Sequence, residues 1–200
     1  MRRPDLAERM GRVPTWVWFA LALLLQVAII GQMVFTHYTT TSTGRPVVLK
    51  IAPVDPRDPL RGDYLTFRYD ISTLRRDLFM DQRSGSAWTP AKGETVYVPL
   101  NRVDAYWVAN TGVVKALPSR AQREIESGGT YSADTVFLRG AVTDVGPAEV
   151  RVTYGIEEYF VPEGKGATFP LNRQASALVV IGSDGNGLVR QVFVGGQKWP

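Results

Sequence analysis

The chain has 200 residues, with 23 Lys and Arg against 19 Asp and Glu, one histidine and no cysteine. A formal net charge of +4, half of it in a stub where Arg2, Arg3, Arg9 and Arg12 outweigh Asp5 and Glu8, is no nucleic-acid footprint. The lack of cysteine excludes a lipoprotein anchor, a disulfide framework and thiolate metal sites together.

After that stub (residues 1–15) comes an uncharged run of 20 residues from Trp16 to Phe35, WVWFALALLLQVAIIGQMVF. At ~1.5 Å rise per residue such a helix is about 30 Å long, the thickness of a bilayer's hydrocarbon core, so residues 16–35 are expected to form one transmembrane helix. Arginines precede the run and no cation follows it until Arg45, which places the N-terminus in the cytoplasm and the remainder outside. Trp16 and Trp18 suit the inner interface and Tyr38 the outer one. A cleaved signal peptide competes, but the run exceeds an ordinary apolar core of ~7–15 residues. Ile30-Gly31-Gln32 and Val34-Phe35-Thr36 are also poor cleavage sites. A buried helix of a soluble domain is the third reading. Gln26, near the middle of the run, points to a contact with another helix, with Ala22 as a small neighbour one turn earlier. A tolerated single amide explains it equally well.

Residues 36–46, THYTTTSTGRP, read as a polar tether that holds residues 47–200 close to the membrane. Beyond it the texture is β. Val47–Val54 alternates, and Pro53, Pro56 and Pro59 then impose a turn-rich connection. Tyr64–Ile71 reads as a second strand, and Ser72–Met80 as a short helix capped by Ser72 with Leu74, Leu78 and Phe79 on one face. Asp81–Gly93 reads as an exposed loop. Thr95–Leu100, Ala105–Ala109 and Val113–Leu117 read as short strands, and Ser119–Ser127 as a small helix. Thr135–Val145 with Glu149–Tyr154, and Ala177–Ile181 with Leu188–Val194, read as hairpins. The expected fold is mainly β, a sandwich or partly open barrel with two or three short helices, preceded by one transmembrane α-helix.

Two blocks carry a family resemblance. Gly62-Asp63-Tyr64-Leu65-Thr66-Phe67-Arg68-Tyr69 resembles the signature of the GDYXXLXY family of bacterial membrane-anchored proteins, with Phe67 in place of its Leu. Tyr154, Gly155, Glu158, Tyr159, Phe160, Pro162, Glu163 and Gly164 are similar to that family's later block, and the hairpin ending in Val194-Gly195-Gly196 is similar as well. The resemblance implies a bacterial inner-membrane protein with one span and an extracytoplasmic β-rich domain; it implies no substrate. The residues themselves have a structural explanation. Gly62 suits a backbone position with positive φ, and Asp63 can accept from turn amides or pair with Arg57 or Arg61. Leu65, Phe67 and Tyr69 share one strand face, while Tyr64, Thr66 and Arg68 share the other. Tyr159 and Phe160 are expected to plug the core. Glu157, Glu158 and Glu163 form either a cluster for a cation or a basic partner or, more simply, a solvated edge paired with neighbouring Arg and Lys165.

Enzyme chemistry is thin. A protease resembling type I signal peptidase needs a serine at the membrane surface and a lysine base within hydrogen-bond reach. Ser42, Lys50 and Lys92 are the available groups, in unfavourable settings. His37, the single histidine, sits at the membrane edge, which leaves no Ser-His-Asp set. Asp55, Asp58 and Asp63 lack calcium-loop spacing, Glu158 and Glu163 are the first candidates for a glycosidase pair, and no glycine loop opens a helix for a nucleotide. No cofactor and no metal are expected. The leading expectation is a non-catalytic, single-pass protein whose outer domain docks on another membrane or envelope protein as an accessory or assembly subunit. Trp88, Trp107 and Trp199 are its interface candidates. A small-ligand or glycan-binding module is the alternative, and a hydrolase the third.

Overall fold

The computed structural model describes residues 14–52, 64–79, 86–118, 131, 134–162, 169–170 and 174–199. The chain divides into two compact units, Met1–Thr39 and Thr40–Pro200.

The first is dominated by helix α1, Thr15–Thr43. It opens behind Pro14, whose carbonyl accepts the Val17 amide at 2.9 Å, and it carries no acid in its first turn and no base in its last. Its large apolar side chains from Trp16 to Ile30 are exposed all round, so no polar face balances an apolar one. Among the described residues no helix is long and apolar enough to cross a membrane. The expected transmembrane helix thus finds no support there, the described side chains of α1 ending at Gln32. The Thr/Ser segment 36–43, expected to be a tether, continues the helical backbone to Thr43. Extending a formed helix adds a hydrogen bond for each residue fixed, which outweighs the weak helix preference of Thr and Ser.

The second unit is mainly β. Its strands are β1 (Arg45–Ala52), β2 (Tyr64–Thr66), β3 (Arg68–Tyr69), β4 (Thr73–Arg75), β5 (Thr95–Val103), β6 (Tyr106–Val108), β7 (Val136–Val145), β8 (Glu149–Thr153), β9 (Glu158–Phe160), β10 (Ala175–Ile181), β11 (Gly187–Val194) and β12 (Gln197–Trp199). One five-stranded sheet has the order β12-β11-β10-β1-β3, a second β4-β8-β7-β5-β6, and β2 and β9 form a two-stranded ribbon. Alternation decides which face is buried. Val47, Leu49 and Ile51 of β1 and Ala177, Val179 and Ile181 of β10 meet Val96, Val98 and Leu100 of β5 and Val150 and Val152 of β8 in one apolar cluster. The hairpins β7–β8 and β10–β11 form where the Gly-rich turns place them, each with one register shift, at Val142/Asp144 and at Leu178/Val179.

Three local expectations change. The strand over Tyr64–Ile71 is split at Phe67, whose amide donates to the Glu157 carbonyl at 2.6 Å. The split lets β2 pair with β9 while β3 pairs with the end of β1, and the inward face of Leu65, Phe67 and Tyr69 is as expected. The expected helix at Ser72–Met80 is, over the described residues to Phe79, two 3₁₀ turns, Asp70–Ser72 and Arg76–Leu78, around β4. Leu74, Leu78 and Phe79 are buried all the same. A nine-residue segment is too short to nucleate a helix unaided, and Leu74 gains a ladder position opposite Val150. Val113–Leu117 contributes only an isolated bridge between Val114 and Tyr97. The expected helix at Ser119–Ser127 and the proline-rich approach at 53–63 lie outside the described residues.

Candidate functional site

The two signature blocks meet in the core of the β unit. Tyr69 ends β3, and its hydroxyl donates to the Ile156 carbonyl at 2.7 Å. Tyr154 follows β8, and its hydroxyl donates to the Ile71 carbonyl at 2.5 Å. Each phenol thus reaches the carbonyl two residues beyond the other, a reciprocal clamp between segments more than 80 residues apart. The turn beneath is set by Gly155, at φ +73°, and by Glu157, whose Oε1 accepts the Tyr154 amide at 2.6 Å. Burial, and then the negative charge of Glu157, push both phenol pKa values well above the ordinary range. Both therefore stay protonated as hydrogen-bond donors, a structural duty rather than acid–base chemistry.

Around the clamp, Phe67 packs against Tyr159 and Phe169 with ring centroids 6.2 and 5.6 Å away. Phe160, expected in the core, is instead 77% exposed. In a strand neighbouring residues face opposite ways, so with Tyr159 turned to Phe67, Phe160 must turn out. Glu158 and Pro162 are exposed, and Tyr64 occupies the ladder position opposite Phe160. Gly62, Asp63, Glu163 and Gly164 lie outside the described residues.

The interface candidates divide. Trp88 packs edge-on against Phe79 at 5.5 Å, with Lys115 Nζ 4.5 Å from its ring centroid. Trp199 packs edge-on against Phe169 at 4.9 Å, and its carbonyl accepts from Gln191 Nε2 at 3.1 Å. All three tryptophans are half-buried and packed against the core. Trp107 in addition lines a cleft of about 330 Å³ together with Leu49, Ile71, Lys50, Asp70, Asp104 and Tyr106. Lys50 and Asp70 pair at 3.7 Å, each about half exposed. Asp104 sits in the β5–β6 turn at φ 54°, the one non-glycine with positive φ among the described residues. Its carbonyl accepts from Arg102 Nε at 3.1 Å. Ala22 and Gln26 are exposed along α1.

Of the candidate catalytic groups, Glu158 is exposed and Glu163 lies outside the described residues. Ser42 and His37 fall within the backbone of α1, Lys50 is engaged with Asp70, and Lys92 is exposed in a turn. Among the described residues no three His, Cys, Asp or Glu are grouped to hold a metal ion.

A family model described as GDYXXLXY protein matches residues 26–192. The chain belongs to the GDYXXLXY family. No curated protein and no solved structure matches it. The match begins inside α1 and runs almost to the end of β11, so the helix from Gln26 onward and the whole clamp fall within what this GDYXXLXY protein has in common with the family. The last Tyr of the family signature is here Tyr69, and the geometry gives it a task that sequence reading of this GDYXXLXY protein did not find. The carbonyls of Ile71 and Ile156 were missed because long-range partners leave no local pattern, whereas Glu157 as acceptor of the Tyr154 amide is a local contact three residues away. A signal for Asp104 did exist: Asp is among the residues that tolerate positive φ in a two-residue hairpin turn.

Proposed function

We propose that the chain is a non-catalytic, membrane-anchored accessory subunit whose β unit docks on a protein of the bacterial envelope. The observation that carries this reading is α1 itself. Its apolar side chains are exposed on every side, a composition that water does not tolerate and that a bilayer or another helix must cover. The uncharged run of 20 residues is long enough to span, and the arginines before it favour a cytoplasmic N-terminus and an extracytoplasmic β unit. Gln26, exposed in that surface, favours a neighbouring helix. Tyr69, Tyr154 and Gly155 of the signature, with Glu157 beside them, support the same reading, since they hold the fold together instead of presenting reactive groups. Mild detergent extraction from the native membrane followed by native-size analysis tests it. A species larger than the 22.1 kDa chain, containing a second polypeptide, is expected; recovery of the free monomer alone overturns it.

A second reading, capture of a small ligand or glycan, is favoured by the cleft beside Trp107, whose volume of about 330 Å³ stands at the lower edge of ligand-sized pockets. Saturable binding of a sugar or metabolite that is abolished by Trp107→Ala would favour it over docking.

A further inference from the structure

The cleft beside Trp107 has an apolar floor and a charged rim of unequal sign. Leu49 and Ile71 are buried at its base, and Tyr106 and Trp107, neighbours in β6, are half-buried and line it. Two acidic residues, Asp70 and Asp104, line it against one basic residue, Lys50. The Lys50–Asp70 pair is loose, 3.7 Å apart and about half exposed, so water already screens most of its attraction. Asp104 is in a different state. Its backbone is fixed by the hairpin turn and by the Arg102 bond to its carbonyl, and no hydrogen bond or ion pair of its carboxylate falls among the described residues. An exposed carboxylate on a fixed stretch of backbone, at a cleft that Tyr106 and Trp107 also line, is the pattern that receives a cation with an apolar stem. The carboxylate takes the charge, while the ring faces and apolar floor take the methylenes.

We propose that this cleft is the contact point for a basic side chain, Arg or Lys, of the docked envelope protein. The proposal rests on the docking reading above and names its chemistry. Asp104 receives the charge, Trp107 and Tyr106 cover the stem, and Asp70 is a second acceptor held in reserve by Lys50. It follows that the two polar partners affect binding in opposite directions. Removing Asp104's charge weakens the contact, whereas removing Lys50's charge frees Asp70 and strengthens it.

The probes are the blocked tripeptides acetyl-Ala-Arg-Ala-amide and acetyl-Ala-Gln-Ala-amide. They are titrated into the full chain in detergent, labelled with 5-fluorotryptophan, and the Trp107 fluorine resonance is assigned by Trp107→Phe. The arginine peptide is expected to shift Trp107 saturably and the glutamine peptide is not. Asp104→Asn should weaken binding about threefold to fivefold and Lys50→Gln should tighten it by about the same factor, the size of an exposed ion pair. Neither side chain is in the core, and unchanged spectra of the remaining tryptophans verify that each variant is folded. Equal shifts from both peptides, or the same direction of change in both variants, overturn the proposal. The docking reading is judged separately by native-size analysis of Asp104→Asn. If the wild type yields a complex and the variant yields it undiminished, docking stands and the cleft is not its contact. If the wild type yields only monomer, docking itself falls.

Discussion

Tyr69 and Tyr154 show how two side chains can join distant parts of a chain. A buried peptide carbonyl without a donor costs roughly 1–3 kcal/mol, and each phenol satisfies one belonging to the other's segment. Tyr69→Phe and Tyr154→Phe are each expected to destabilise the β unit by about 1–3 kcal/mol in urea unfolding. The two losses should not add, because both bonds hold the same pair of segments. The pH dependence follows from the raised phenol pKa values. A group whose pKa is higher folded than unfolded stabilises fully below its unfolded value, near 10 for tyrosine, and loses that contribution as pH climbs towards the folded value. Stability should therefore fall above about pH 10, by up to ~1.4 kcal/mol per pH unit for each tyrosine. The Tyr69→Phe/Tyr154→Phe double variant should flatten that fall, measured by urea unfolding between pH 8 and 11. An equally steep decline in the variant would show that other groups govern it.

The strands are shaped by what they lean against as much as by their own residues. Gly140 in β7 lies where an added Cβ would overlap Val152 Cγ1 and approach the Tyr154 ring at 2.9 and 3.0 Å. Its φ is not in the left-handed region, so the demand for glycine is steric and comes first from Val152 and then from the ring of the clamp tyrosine. Gly140→Ala is expected to cost about 1–3 kcal/mol, the usual penalty of overpacking, and to shift Tyr154. Thermal unfolding reads the cost. In the Gly140→Ala/Tyr154→Phe background the penalty should remain, because the Val152 contact and the ring are both retained. The split between β2 and β3 has the same origin. Alternation along 64–69 specifies only which face is inward, and a Glu157 carbonyl 90 residues further on takes the Phe67 amide out of the strand.

At the scale of the whole molecule, an apolar helix and a mainly β unit make different demands on solvent. The absence of cysteine makes the orientation directly measurable. Ser183, exposed in the β10–β11 turn, and Ala7, in the arginine-bearing stub, can each be replaced by a single cysteine. A membrane-impermeant maleimide should label Ser183→Cys in intact cells once the outer envelope is opened, and Ala7→Cys only after the inner membrane is permeabilised. The reverse pattern would overturn the proposed orientation, and labelling of both in a soluble fraction would remove the anchor.

What the sequence by itself determined is what depends on near neighbours. The apolar run made α1, period-two alternation made the inward faces of β1 and of the signature strand, and the Gly-rich turns made both large hairpins. Family membership was legible too, from two short blocks in order. Tertiary structure alone decided the partners across long stretches of chain: the carbonyls that receive Tyr69 and Tyr154, the exposure of Phe160, and the cleft where Asp104 meets Trp107. A residue's periodicity selects a side of its own strand, but which distant atom waits on that side is chosen only when the sheets pack.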